Sequence, residues 1–166
     1  LGNLGLLGIQ KPEEYGGMGL DYSYNLVAAE ELGMAKCGGV PLAVGVQTDM
    51  CTPAIARFGS DELKRDFLAP AIAGDMVGCI GVSEVGAGSD VAGLKTTAKK
   101  DGDDYVINGE KIYVTAGSRA SHIVVWATLD KTKGRAAIKS FIVPRDYPGV
   151  TVERLENKLG IKASDT

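Results

Sequence analysis

The sequence predicts a helical unit followed by an antiparallel β unit, the second closing as a sandwich or barrel. Three observations carry this fold class. Up to residue 75, apolar residues recur at helical spacing between capping signals. From Met76 onward, short runs rich in Val, Ile, Thr and aromatics are separated by turn residues. No helix-length segment lies between those later runs, which argues against a parallel sheet built on helical crossovers. Charge changes at the same place: Leu1 to Asp75 carries 5 basic and 10 acidic residues, Met76 to Thr166 carries 13 and 11. The domains are therefore drawn as 1–75 and 76–166.

The elements follow in order. Asp21 is a helix N-cap, and Tyr22, Leu26, Ala29 and Leu32 recur on one face of a helix over Tyr22 to Lys36 that Gly33 and Gly38-Gly39 bring to a stop. A second apolar helix is expected over Leu42 to Phe58. Ser60 caps a third over Asp61 to Leu68, with Asp61 and Glu62 in the first turn, where the helix dipole favours acids. A strand is expected over Val77 to Val82. Tyr105 to Ile107, then Asn108-Gly109, then Lys111 to Thr115 reads as a hairpin with a tight turn of positive φ. Further strands are expected at His122 to Leu129, Ala137 to Val143 and Val150 to Leu155.

Composition narrows the function. With 166 residues, 45% of them hydrophobic, the chain can bury a core without staples. A formal charge of -3 lacks the basic excess of a nucleic-acid protein. No stretch approaches the roughly 20 apolar residues of a membrane span. Cys37, Cys51 and Cys79 are odd in number and far apart, so they read as small buried apolar residues and not as a disulfide or zinc framework. The chain opens on Leu1-Gly2-Asn3 without a start or signal pattern and stops at Asp165-Thr166, which reads as the interior of a longer protein. Glycine, at 23 of 166, is about twice its usual share and calls for backbone explanations.

Two constellations could carry chemistry. Ser83-Glu84-Val85-Gly86-Ala87-Gly88-Ser89-Asp90 follows a strand, and glycines on both sides of Ala87 could give mixed-sign φ values that aim N–H groups at a phosphate; a plain tight loop is the other reading. It is neither a dinucleotide fingerprint, since Val91 stands where a third glycine belongs, nor a Walker loop. Tyr113 and Thr115, alternating on one face of a strand, could stack and hydrogen-bond a planar heterocycle, or form an ordinary strand pair. Ser89 is in no nucleophile elbow, and the sole histidine, His122, opens a strand in a half-buried place, so a hydrolytic triad is not supported. One histidine also leaves no metal site.

Across all 166 residues the chain resembles the acyl-CoA dehydrogenases. The resemblance rests on Pro12 to Gly17 with Gly19, Ala56 to Ser60, Val82-Ser83-Glu84 through Gly88-Ser89-Asp90, Ile107 to Lys111, Tyr113-Val114-Thr115, Phe141 to Val143, and Lys158-Leu159-Gly160 running to Ser164-Asp165-Thr166. It implies an N-terminal helical domain, a middle β domain and a C-terminal four-helix domain that this sequence does not contain. It implies FAD, held by Ile80, Val82, Ser83, Gly88, Ser89, Tyr113, Val114 and Thr115. Val82 backbone and the Ser83 hydroxyl would meet the pyrimidine edge, Gly88 and Ser89 the diphosphate, Tyr113 the ring face, and Thr115 the hydride-accepting side. Ser89 would also touch the substrate, Lys131 to Arg135 the CoA phosphates, and Cys37 to Asp49 part of the acyl pocket.

The activity so implied is oxidation of an acyl-CoA to a trans-2-enoyl-CoA, by α-proton abstraction and β-hydride transfer to flavin. Electrons would pass to an electron-transfer flavoprotein, from a homotetramer in the mitochondrial matrix or a bacterial cytoplasm. Alternatives on the same scaffold are an acyl-CoA oxidase, a nitroalkane-oxidising enzyme or a non-catalytic acyl-CoA-binding relative. The chain departs from the family's usual residues at Ser83 for Thr, Val85 for Pro, and Tyr113 for Trp or Phe. The family's proton-abstracting carboxylate belongs to the C-terminal domain, so no residue here is assigned as catalytic, Glu84 included. The 166 residues alone are expected to bind FAD weakly and to be inactive.

Overall fold

The structure is a computed structural model and describes residues 1–166. Helices fill the first half. In α1 (Tyr22–Gly33), the Asp21 carboxylate accepts from the Ser23 N–H at 2.8 Å, as an N-cap should. None of its residues is buried. α2 (Gly39–Gly45), a wide π turn (Val46–Cys51) and α3 (Thr52–Phe58) run on without a break, so the second expected helix starts three residues early. The Ser60 hydroxyl accepts from the Leu63 N–H at 3.2 Å and caps α4 (Asp61–Leu63), which continues through a second wide turn (Lys64–Leu68) into α5 (Ala69–Ala73). Gly74, at φ +88°, ends it. Each wide turn lies just before a proline, Pro53 and Pro70. Proline has no N–H to give and its ring clashes with the carbonyl one turn back; widening the preceding turn relieves that clash and lets the helix pass.

The second half forms a five-stranded sheet: β1 (Gly78–Gly81), β2 (Thr97–Asp101), β3 (Asp104–Asn108), β4 (His122–Thr128) and β5 (Ile138–Pro144). Helices followed by a sheet domain is the expected architecture, but the strand sense differs. β4 pairs antiparallel with β5 along its whole length and parallel with β1 and, at Thr128, with β2. The long excursion from Val82 to Ser121, containing the β2–β3 hairpin, supplies the crossover that a parallel pair needs, without a helix.

The hairpin also lies elsewhere. β2 pairs with β3 from Asp101↔Asp104 to Thr97↔Asn108, around Gly102 at φ +61°. Gly109 instead permits a close approach: a Cβ there would sit 2.2 Å from Thr96 Oγ1. Lys111 to Thr115 is not a strand, because Tyr113 at φ +57° breaks the alternation. Val150 to Leu155 also forms no strand.

The two halves share one core. Ile80, Val124 and Ile142 stand in register across β1, β4 and β5 and pack against Cys51, Ile55, Leu68 and Ile72 of the helices. Gln47, in the first wide turn, joins them: its amide donates to the Ala71 and Met76 carbonyls at 3.1 and 2.9 Å and its oxygen accepts from the Gly78 N–H at 2.8 Å. His122 is fully buried at the same seam, with Nε2 3.5 Å from Cys51 Sγ and its ring edge-on to Phe67. Cys51 and Cys79 are buried free thiols, whereas Cys37 is exposed, against expectation, on the short link between α1 and α2. No helix is long and apolar enough to cross a membrane.

Candidate functional site

β1 runs out of the core at Gly81, and the residues that follow form the floor of a cleft. Ile80, Val82 and Ser83 provide that floor, Ile112, Tyr113 and Thr115 one wall, and Val46 and Met50 of the first wide turn the other. Five of the eight residues named for the flavin therefore meet in one place. Gly88, Ser89 and Val114 do not line it; Gly88 and Ser89 are exposed on the loop beyond, and Val114, between two lining residues, is half-buried. Met50 and Ile112 were missed by the sequence reading, while Val46 falls in the stretch expected at the acyl pocket. The signal for Met50 was its place one turn after Val46 on the helix expected over Leu42 to Phe58.

The wall is held by backbone contacts and by a remote clamp. The Ile112 N–H donates to the Ser83 carbonyl at 2.9 Å, closing wall onto floor. Beyond Tyr113 the chain turns twice through left-handed geometry, at Tyr113 and at Ala116 (φ +64°). Such φ values cost a non-glycine residue about 1–2 kcal/mol and need outside support. Asp165 gives it: its carboxylate accepts from the Ser118 hydroxyl and, at 3.3 Å, from the Ser118 N–H, and its carbonyl accepts from the Ala116 N–H at 3.2 Å. Arg145 adds a bond to the Gly117 carbonyl at 2.9 Å. Burial pushes the Asp165 carboxyl up, but the two Ser118 bonds, with the nearby Arg119 charge, outweigh it and hold the group below its ordinary value.

Glu84 faces away from any substrate role. It is buried, 2.7 Å from Lys111 Nζ, and accepts from the Lys95 and Thr96 N–H groups at 2.5 and 3.0 Å. Burial raises its pKa, yet the Lys111 bond and the two backbone donors more than compensate and bring it to about 2. A carboxylate so committed is a poor proton acceptor. The glycines of the loop take no positive φ, so the mixed-sign arrangement for a phosphate is not formed. Instead Glu84 and Ala87 exchange backbone bonds at 3.0 and 3.1 Å in a tight turn, because that closure satisfies both groups locally. Lys131 borders a separate hollow with Lys95, between Gly93 and Gly134.

The cleft suits a flat heterocycle. Its lining is apolar apart from the Ser83, Tyr113 and Thr115 hydroxyls, Tyr113 is 67% exposed, and the Ser83 and Thr115 N–H groups make no backbone bond within the chain. Unpaired donors beside apolar walls match the ring of a flavin, which presents carbonyl and imine acceptors at its edge.

Comparison with known proteins agrees. Residues 1–75 match the model of the acyl-CoA dehydrogenase N-terminal domain, and residues 79–166 that of the middle domain. The chain belongs to the acyl-CoA dehydrogenase family. Among relatives, it is 40% identical over all its residues to the mouse mitochondrial short-chain specific acyl-CoA dehydrogenase, and 41% to potato mitochondrial isovaleryl-CoA dehydrogenase. It spans 40% of the length of each. Among solved structures, acyl-CoA dehydrogenase from Bacillus anthracis complexed with FAD superposes with a TM-score of 0.89 at 37% identity, over 99% of this chain and 27% of that one.

Proposed function

We propose that these residues are the cofactor-bearing part of an FAD-dependent acyl-CoA dehydrogenase. The observation that carries the reading is the meeting of Ile80, Val82, Ser83, Tyr113 and Thr115 in one cleft with unpaired donors. Ser83 and the adjoining backbone bind the pyrimidine edge, Tyr113 covers a ring face, and Thr115 bonds beside the reacting nitrogen. Val114, between Tyr113 and Thr115, contributes its backbone to the same wall. Gly88 and Ser89, on the exposed loop, reach the diphosphate, with Ser89 also touching substrate. When bound, the flavin supplies the acceptor for the β-hydride of an acyl-CoA thioester.

Val46 and Met50 give the cleft an apolar side where an acyl chain would lie. Lys95 and Lys131 suit the CoA phosphates. The α-proton acceptor is assigned outside residues 1–166; Glu84, whose partner Lys111 also bonds the Val82 carbonyl of the cleft floor, is fully engaged. Electron-transfer flavoprotein is the proposed electron acceptor and a homotetramer the proposed assembly. The mitochondrial matrix is the proposed compartment, with a bacterial cytoplasm as the alternative.

The test is turnover by the intact protein. Reduction of an artificial electron acceptor by short acyl-CoA esters, lost in Ser83→Ala combined with Thr115→Val, is expected. Oxygen consumption in place of acceptor reduction would make it an oxidase. Absence of a flavin spectrum would overturn the reading.

A further inference from the structure

On the face of β1 away from Ile80 lies a buried ion pair that the cleft itself does not use. Lys111 and Glu84 are 2.7 Å apart, with side chains only 10% and 8% exposed. Lys111 lies flat across the strand end, so that a Cβ on Gly81 would come within 3.2 Å of its Cγ. Its Nζ makes a second bond, to the Val82 carbonyl at 3.0 Å. Glu84 is anchored in turn by the Lys95 and Thr96 N–H groups.

A buried pair of this kind costs desolvation and is weak evidence for stability alone. What it bonds to is informative. The Val82 carbonyl is one end of the peptide whose other end is the unpaired Ser83 N–H. A cation on that carbonyl draws electron density along the peptide and strengthens the N–H as a donor. The pair also places one positive and one negative charge directly behind the floor of the cleft.

We propose that Lys111 and Glu84 are positioning residues for the cofactor, fixing and polarising the Val82–Ser83 peptide and setting the charge behind it, so that together they tune how readily the bound flavin is reduced. This rests on the flavin reading above. Lys111 favours negative charge arriving in the cleft and Glu84 opposes it, so removing either one shifts the balance in opposite directions.

The test is the flavin reduction potential of the intact, FAD-loaded protein at neutral pH. Lys111→Met should lower it and Glu84→Gln should raise it, each by at least tenfold in the reduction equilibrium, about 30 mV for a two-electron couple. Lys111→Arg should return the value toward wild type. A purely structural role would move both variants the same way, and that result, or two unmoved potentials, would overturn the proposal. If Lys111→Met does not fold, Glu84→Gln decides alone: a raised potential supports the proposal, an unchanged or lowered one overturns it. Wild-type protein without flavin would overturn both this proposal and the reading beneath it. Loaded wild type with unmoved variants would overturn this one only.

Discussion

Two buried titratable side chains give the molecule a defined response to acid. Glu84 has a folded pKa of about 2 against an ordinary 4.5, so its contribution is complete above pH 4.5 and is lost as the pH falls toward 2. A shift of that size corresponds to roughly 3 kcal/mol. Glu84→Ala should cost about 3–5 kcal/mol in urea denaturation at pH 7, because it strands Lys111 as an uncompensated buried charge. His122, the only histidine, is held below its ordinary 6.5 by burial. The neutral form is therefore favoured in the folded state, so its contribution is complete above pH 6.5 and stability starts to fall as the pH drops below that value. His122→Phe should flatten the curve just below pH 6.5, whatever it does to the absolute stability.

At the scale of elements, the wall of the cleft trades backbone comfort for shape. Tyr113→Gly relieves a left-handed φ of +57° while adding chain entropy. Its effect on the melting free energy should stay within about 1 kcal/mol, yet FAD affinity, followed by fluorescence quenching, should drop at least tenfold through loss of the ring. Gln47→Ala leaves two carbonyls and one N–H buried without their partner at the seam of helices and sheet. It should cost roughly 3 kcal/mol by thermal denaturation. The same elements show what local signals convey. The caps at Asp21 and Ser60 were legible because one side chain and one N–H define them. The hairpin was not, since Asp101-Gly102 and Asn108-Gly109 are both good turn dipeptides and only packing against Thr96 decides between them.

Across the whole molecule, one core is shared by helices that present Ile55, Leu68 and Ile72 and strands that present Ile80, Val124 and Ile142. The cleft opens where that core ends, so its geometry depends on both halves. The change from helix to sheet near Met76 could be read from residue periodicity, and Ile80, Val82, Ser83, Tyr113 and Thr115 were named from their motifs, whereas Met50 and Ile112, which complete the walls, lie in no such motif. The parallel pairing of β1 with β4 could not, because it depends on a forty-residue excursion returning to the same sheet. Nor could the clamp of Asp165 on Ser118, which joins residues 47 apart.

The most direct test of the account is amide hydrogen exchange on the intact protein with and without saturating FAD. Slowed exchange at Ser83 and across Tyr113 to Thr115, with the far ends of β2 and β3 unchanged, is the expected result. Protection confined to other segments, or no change at all, would contradict a flavin site in this cleft.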